Sequence, residues 1–169
     1  TAVGALLAVV VALLAARGIA ATPLRAATRL ILVAVRTFPE LIIAIYAVAV
    51  FGYGPFAGFI TLVISSVGFL AKLLADEIET MDRSALEAME AAGGGLLQRV
   101  RYAVLPAVLP RFVGLTLYRL DINFREASVI GIVGAGGIGA TLRTSMDRYE
   151  YGSASAILLL VIAVVLLVE

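Results

Sequence analysis

Five apolar runs, nearly free of charge, make up most of this chain, and one polar island at residues 76 to 105 separates the third run from the fourth. The runs extend from about Ala2 to Ala16, Leu30 to Phe51, Pro55 to Ala75, Pro106 to Ile122 and Ser153 to Glu169. A helix needs about 20 apolar residues to cross the hydrocarbon of a bilayer, and most of these runs approach that length. A soluble domain could hide such segments only if it had enough interior. Here 62% of 169 residues are hydrophobic and 15% are charged. An average soluble domain is closer to half and a quarter, and a chain this small buries too little surface to absorb the surplus. The excess must face lipid. The expected fold class is therefore all-α, a polytopic transmembrane helical bundle.

The first run lacks the basic flank and cleavage site of a signal peptide, so it reads as a span. It is short, and the last run stops at Glu169, so a single membrane domain covering 1–169 is expected to be truncated at both ends. Within the second run, Pro39 should kink the helix, and Glu40 must face protein or water. Phe51-Gly52-Tyr53-Gly54-Pro55-Phe56 reads as a tight turn that makes the second and third spans antiparallel neighbours.

Several chemistries are excluded. With no Cys and no His, there are no disulfides, no thiolate or histidine metal sites and no Ser-His-Asp triad. A net charge of +1 gives no electrostatic case for nucleic acid. No G-x-x-x-x-G-K-[ST] loop is present to cradle ATP phosphates. No catalytic residue, metal ligand or cofactor is expected.

Basic residues set the orientation. With the island in the cytoplasm, Arg17, Arg25, Arg29, Arg83, Arg99 and Arg101 also lie inside, as the positive-inside rule requires. Lys72, Arg36 and Arg111 can snorkel to that side. Arg125, Arg143 and Arg148 fall outside, where Glu126, Asp147 and Glu150 balance them. Ser84 and Ser145 are then reporter positions on opposite sides.

Inside the island, Ser84 with Glu87 three residues later reads as a capping box, and Ala85 to Ala92 favours helix. Gly93-Gly94-Gly95 ends that helix. A second helix of about Leu96 to Val104 should follow and stop before Pro106. An ordinary surface helix between two spans would explain this much. The pattern Glu87-Ala88-Met89, then Gly93, then Leu105-Pro106, resembles the cytoplasmic coupling loop of ABC importer permeases. Met89 and Ala103 stand where that family more often has Ala and Ile.

Gly134-Ala135-Gly136-Gly137-Ile138-Gly139 matches the dinucleotide fingerprint G-x-G-x-x-G, with Val129 to Val133 as its would-be strand. The fingerprint also needs a second strand and an acidic residue downstream, and here a membrane span follows. A glycine-rich break in the bundle fits better. Tyr118 to Glu126 carries four charges, placed at or just beyond the outer end of the fourth span. Asp121 and Arg125 are spaced to pair on one helix face. This cluster reads either as a salt-bridged helix end or as the lining of a path or gate. Lys72 and Asp76 have the same spacing, in an interfacial cluster with Glu77 and Glu79.

Arg36-Thr37-Phe38-Pro39-Glu40-Leu41, Gly54 to Gly58, Gly68 to Leu73 with Asp76 to Glu79, and Asn123 to Gly139 together resemble the phosphonate ABC transporter permease family. The resemblance runs from about Arg36 to Tyr151. It implies the type I ABC importer permease fold, shared with methionine-importer permeases, in the bacterial inner membrane. It implies a homodimer, ATPase subunits that bind the ATP, and an extracytoplasmic phosphonate-binding protein. It assigns coupling to Glu87, Ala88, Met89, Gly93, Leu105 and Pro106. It makes Asp121, Asn123, Arg125, Glu126, Gly134, Gly136, Gly137 and Gly139 candidates for the pore or gate. The alternatives are a permease for methionine, glycine betaine or phosphate, and, remotely, a membrane-bound dinucleotide-dependent oxidoreductase.

Overall fold

The computed structural model describes residues 1–16 and 21–168, so Arg17 and Glu169 lie outside the described residues. Those residues are helical apart from short turns, with no strand among them. The order is α1 (Ala2–Ala15), α2 (Thr22–Thr37), α3 (Glu40–Phe51), α4 (Pro55–Thr80), α5 (Ser84–Ala91), α6 (Leu96–Arg99), α7 (Leu105–Ile130), α8 (Gly137–Asp147) and α9 (Tyr151–Val168). Two π-helical turns, Val100–Val104 and Gly131–Ala135, bracket α7.

Helix α4 is the hub, packing on α1, α2, α3 and α7. Its sequence explains this, because small residues occur on several of its faces. Ala5, Ala8, Ala12 and Ala15 form one buried stripe of α1 that lies on α4. A Cβ at Gly4 would sit 2.7 Å from the Ser66 Cβ, and one at Gly68 would sit 2.8 Å from Val35. Small side chains let helix backbones approach closely, which is how bundles pack where lipid removes the hydrophobic drive. The large apolar residues point outward instead, most clearly Leu158, Leu159, Leu160, Ile162, Leu166 and Leu167 of α9.

Among the described residues the five apolar runs are mostly helix, but they do not make five straight spans. Pro55–Thr80 and the continuous Leu96–Ala135 are long and apolar enough to cross a membrane. The second run, expected to be one kinked helix, is instead broken into α2 and α3 at 95°. Phe38, forced toward extended backbone by the following proline, has φ −79° and ψ 128°. This pair counts as a third span only if it is taken as one. Helices α1 and α9 are shorter, at 14 and 18 residues.

The fourth run also differs from expectation. No break occurs at Pro106, and α7 continues to Ile130 rather than ending near Ile122. The Leu105 N–H bonds back to the Val100 carbonyl, a five-residue reach. That wider register accommodates a proline that has no N–H to give.

At the island end of the bundle, ion pairs tie α4 to its neighbours. Arg29 of α2 reaches Glu79 at 2.6 Å and also donates from Nε to the Ala15 carbonyl. Lys72 and Asp76 pair at 2.6 Å as their spacing suggested, and Arg111 of α7 approaches Glu77 at 3.7 Å.

Candidate functional site

The segment read as a coupling loop is built around α5, which has no buried residue. Ser84 does not cap it. Just ahead of the helix, whose N-cap position is Arg83, the Asp82 side chain accepts the Ser84 N–H at 3.0 Å and the Ser84 hydroxyl at 3.0 Å. These two bonds hold the Asp82 carboxyl below its usual range, the backbone bond most of all. The expected capping box of Ser84 and Glu87 is therefore absent, and Glu87 is simply exposed in the first turn. The signal for Asp82 in the sequence is its place two residues before Ser84, the spacing of an Asx turn.

The glycine stop forms as expected. Gly94 N–H donates to the Met89 carbonyl and Gly93 N–H to the Glu90 carbonyl. This is a Schellman closure, and Gly93 takes the positive φ of +72° that it requires. A Cβ there would meet nothing within 4 Å, so the position is open to a partner. Arg99 pairs with Glu90 at 2.6 Å and folds α6 back against α5. The expected second helix of Leu96 to Val104 is only the four-residue α6, and it runs through the π-turn into α7, with Leu105 and Pro106 in its first turn.

At the other end of α7, about 39 Å away by helical rise, lies the glycine break. Gly134, Gly136 and Gly137 have φ of +99°, +75° and +71°. The Gly54 N–H bonds to the Gly134 carbonyl at 3.0 Å, which locks the break to the α3–α4 turn. A Cβ on Gly136 would lie 2.6 Å from the Pro55 nitrogen, and one on Gly139 would collide with the Ser128 carbonyl. Val129 to Val133 is helix and π-turn, not the strand that a dinucleotide site requires. The segment is therefore not a dinucleotide fingerprint, the feature on which the oxidoreductase alternative rested.

Between these ends the structure assembles a polar cluster that the sequence reading did not foresee. The Tyr118 to Glu126 charges are not at a helix end; they lie mid-way along α7. Arg119 is 3% exposed, the only buried charged side chain among the described residues. Its Nη2 lies 2.7 Å from Glu40 Oε1, 2.7 Å from Ser65 Oγ and 3.4 Å from Glu126 Oε2. Its Nε lies 3.4 Å from Ser66 Oγ, and its guanidinium sits over the Phe69 ring. Asn123, 5% exposed, donates to Ser66 Oγ at 3.0 Å and to Thr1 Oγ1 at 2.8 Å. Ser65 donates to the same Glu40 oxygen.

Of the candidate pore residues, Asn123 and Glu126 therefore join this cluster. Asp121 and Arg125 instead pair with each other at 2.7 Å, as their spacing indicated, with Arg125 largely exposed. Gly134, Gly136, Gly137 and Gly139 belong to the break. Arg119, Glu40, Ser65 and Ser66 were not among the candidates. A signal existed: a carboxylate in an apolar run demands a donor, and Arg119 is a basic residue in the middle of another helix.

The family model for the binding-protein-dependent transport system inner membrane component matches residues 6–169. The chain belongs to that family. Among similar members of this inner membrane component family is the phosphite transport system permease protein PtxC of Stutzerimonas stutzeri, 42% identical over all of this chain and 62% of the relative. Another is the phosphate-import permease protein PhnE of Mycolicibacterium smegmatis, 41% identical over all of this chain and 32% of the relative. The chain thus spans 32% to 62% of the length of these curated relatives. The blocks that pointed to phosphorus-oxyanion permeases are supported by these names. The fold matches the inward-facing MetNI methionine ABC transporter with a TM-score of 0.82 at 22% identity, over 98% of this chain and 82% of that one. The all-α permease fold expected from the sequence is the one observed.

Proposed function

We infer that this chain is the membrane-spanning core of an ABC importer permease for a phosphorus oxyanion: a phosphonate, phosphite or phosphate. The observation that carries the reading is similarity along the whole chain to permeases named for phosphite and phosphate. It acts in the bacterial inner membrane, pairs with a second copy, and receives substrate from an extracytoplasmic phosphonate-binding protein. It makes and breaks no covalent bond and binds no cofactor; ATP is bound by partner ATPase subunits. Those subunits take α5, with Glu87, Ala88, Met89 and Gly93 at the contact and Leu105-Pro106 at the root. The lack of any fully buried residue in α5, the exposure of Glu87 and Ala88, and the open space at Gly93 support that role. Closure of the motor would draw the two α5 helices together and rock the spans to open the path outward. Asp121, Asn123, Arg125, Glu126 and the glycines Gly134 to Gly139 line or hinge that path.

The test is reconstitution of the full-length permease with its ATPase and binding protein in proteoliposomes. ATP-dependent uptake of phosphite, phosphate or methylphosphonate is expected. Gly93→Asp and Glu87→Arg should leave insertion intact and remove substrate-stimulated ATP hydrolysis. Normal stimulation in both variants, at normal assembly, overturns the coupling role.

A further inference from the structure

The cluster around Arg119 has the composition of an anion site that is occupied by the protein itself. Five donor groups converge there: Arg119 Nη2 and Nε, the Ser65 and Ser66 hydroxyls, and the Asn123 amide. Their main carboxylate acceptor is one oxygen, Glu40 Oε1, which takes bonds from both Arg119 and Ser65, while Glu126 Oε2 stands farther off at 3.4 Å from Arg119 Nη2. The other oxygen, Glu40 Oε2, is buried with no hydrogen-bond partner among the described residues. An arginine fork is matched to two oxygens at once, and a carboxylate built to hold it permanently would offer both. Here the fit is one-legged.

Glu40 is also carried on a movable support. It is the first residue of α3, directly after Pro39 at the 95° break, whereas Arg119, Ser65 and Ser66 sit in the middle of the 26-residue helices α7 and α4. A small change at Phe38-Pro39 would withdraw Glu40 and leave the donors in place. An open pocket of about 250 Å³, bounded by Pro39, Glu40, Leu41, Glu126, Val129 and Ile130, reaches the cluster from that side.

Resting on the importer reading above, we propose that Arg119, Ser65, Ser66 and Asn123 form a transient binding site for the transported phosphorus oxyanion, and that Glu40 occupies it as an internal stand-in when substrate is absent. A tetrahedral oxyanion presents several oxygens to the donor set, where the carboxylate uses one. Arginine suits this task better than lysine, because its planar fork pairs with phosphorus oxygens bidentately. The stand-in keeps the guanidinium paired while the path is empty, since a buried unpaired charge is strongly unfavourable. It also weakens retention of the substrate, which must leave on the far side.

The experiment uses the full-length permease with its ATPase in nanodiscs, with radiolabelled inorganic phosphate, phosphite and methylphosphonate as probes. Uptake by the unaltered complex with its binding protein is measured first. If none of the three is transported, the importer reading fails and the site falls with it. For a transported probe, equilibrium retention is then measured without the binding protein. Glu40→Gln should raise retention at least tenfold, and adding Arg119→Gln should abolish that gain. Arg119→Gln alone should lower uptake more than tenfold. A merely structural pair gives the opposite pattern: uptake in the double variant returns to within twofold of the unaltered complex, and no variant retains the probe. Either of those results, or retention that survives loss of Arg119, overturns the proposal. If Arg119→Gln does not assemble with the ATPase, Arg119→Lys keeps the charge and loses the fork. Its half-saturating probe concentration should rise at least fivefold, and an unchanged value refutes the site.

Discussion

Arg119 and Glu40 are 79 residues apart in the chain, and their side chains meet at 2.7 Å. The pair joins α7 to α3, and through Ser65 and Ser66 it reaches α4. Removing one partner of a buried pair leaves an uncompensated charge and costs about 3–5 kcal/mol, whereas replacing both with apolar residues is often close to neutral. Arg119→Met should therefore lower the unfolding midpoint of the detergent-solubilised protein sharply. Glu40→Leu combined with Arg119→Met should regain most of it. Equal losses in the single and double variants would show that the two side chains do not depend on one another.

Two prolines show how much of this fold was legible in the sequence. Pro39 and Pro106 both lie in apolar surroundings, and both are expected to disturb a helix. Pro39 does so more than expected, turning the chain by 95°. Pro106 does not, because Leu105 keeps helical backbone and the π-turn of Val100–Val104 shifts the hydrogen-bond register ahead of it. The outcome depends on tertiary support, which a local pattern cannot carry. The same holds for Arg119. Local hydropathy ends the fourth run at its charges, but α7 passes through them because Glu40, Ser65 and Ser66 wait on other helices. The Gly93 closure was more legible, since a glycine stop is a property of consecutive residues.

Asp82 holds Ser84, the first residue of α5, through two hydrogen bonds, and this gives that turn a pH dependence. The Asp82 carboxyl is held below the usual aspartate range by the Ser84 N–H and hydroxyl. A group with a lowered folded-state pKa contributes stability that is present above the unfolded value and is lost as pH falls through the folded one. The Asp82–Ser84 turn should thus be intact at neutral pH and down to about 4, and should fail only below that. Amide hydrogen exchange at Ala85 to Glu87 should accelerate in Asp82→Ala at pH 7 and change little in Ser84→Val. A larger effect of Ser84→Val would restore the capping-box reading.

Orientation can be read with single cysteines, because the chain has none. Ser84 is exposed and serves for the α5 side. Ser145, the position chosen from the sequence for the other side, is only 7% exposed and faces the bundle. Glu150 is exposed and replaces it. In intact cells carrying the full-length permease, Glu150→Cys should react with a membrane-impermeant thiol reagent and Ser84→Cys should not. The reverse pattern would invert the topology and place α5 away from any cytoplasmic ATPase.

The glycines of the break differ in why they are needed, and substitutions should separate the reasons. Gly137 has φ +71° with open space around it, so Gly137→Ala meets only the backbone penalty of a left-handed residue, about 1–2 kcal/mol. Gly136 has φ +75° and also faces the Pro55 nitrogen at 2.6 Å, so Gly136→Val combines strain with a collision against the α3–α4 turn. Gly139 has ordinary helical backbone, yet its Cβ would strike the Ser128 carbonyl. Gly114, mid-way in α7 with nothing within 4 Å, is the control, and Gly114→Ala should be neutral or slightly stabilising by helix propensity. Thermal midpoints of the purified permease should then fall in the order Gly114→Ala, Gly137→Ala, Gly139→Ala, Gly136→Val. Because the break lies at the far end of α7 from α5, Gly136→Val should reduce uptake while the ATPase still co-purifies. Loss of ATPase association in that variant would mean that the two ends of α7 do not fold independently. Unchanged uptake would reduce the break to a passive loop.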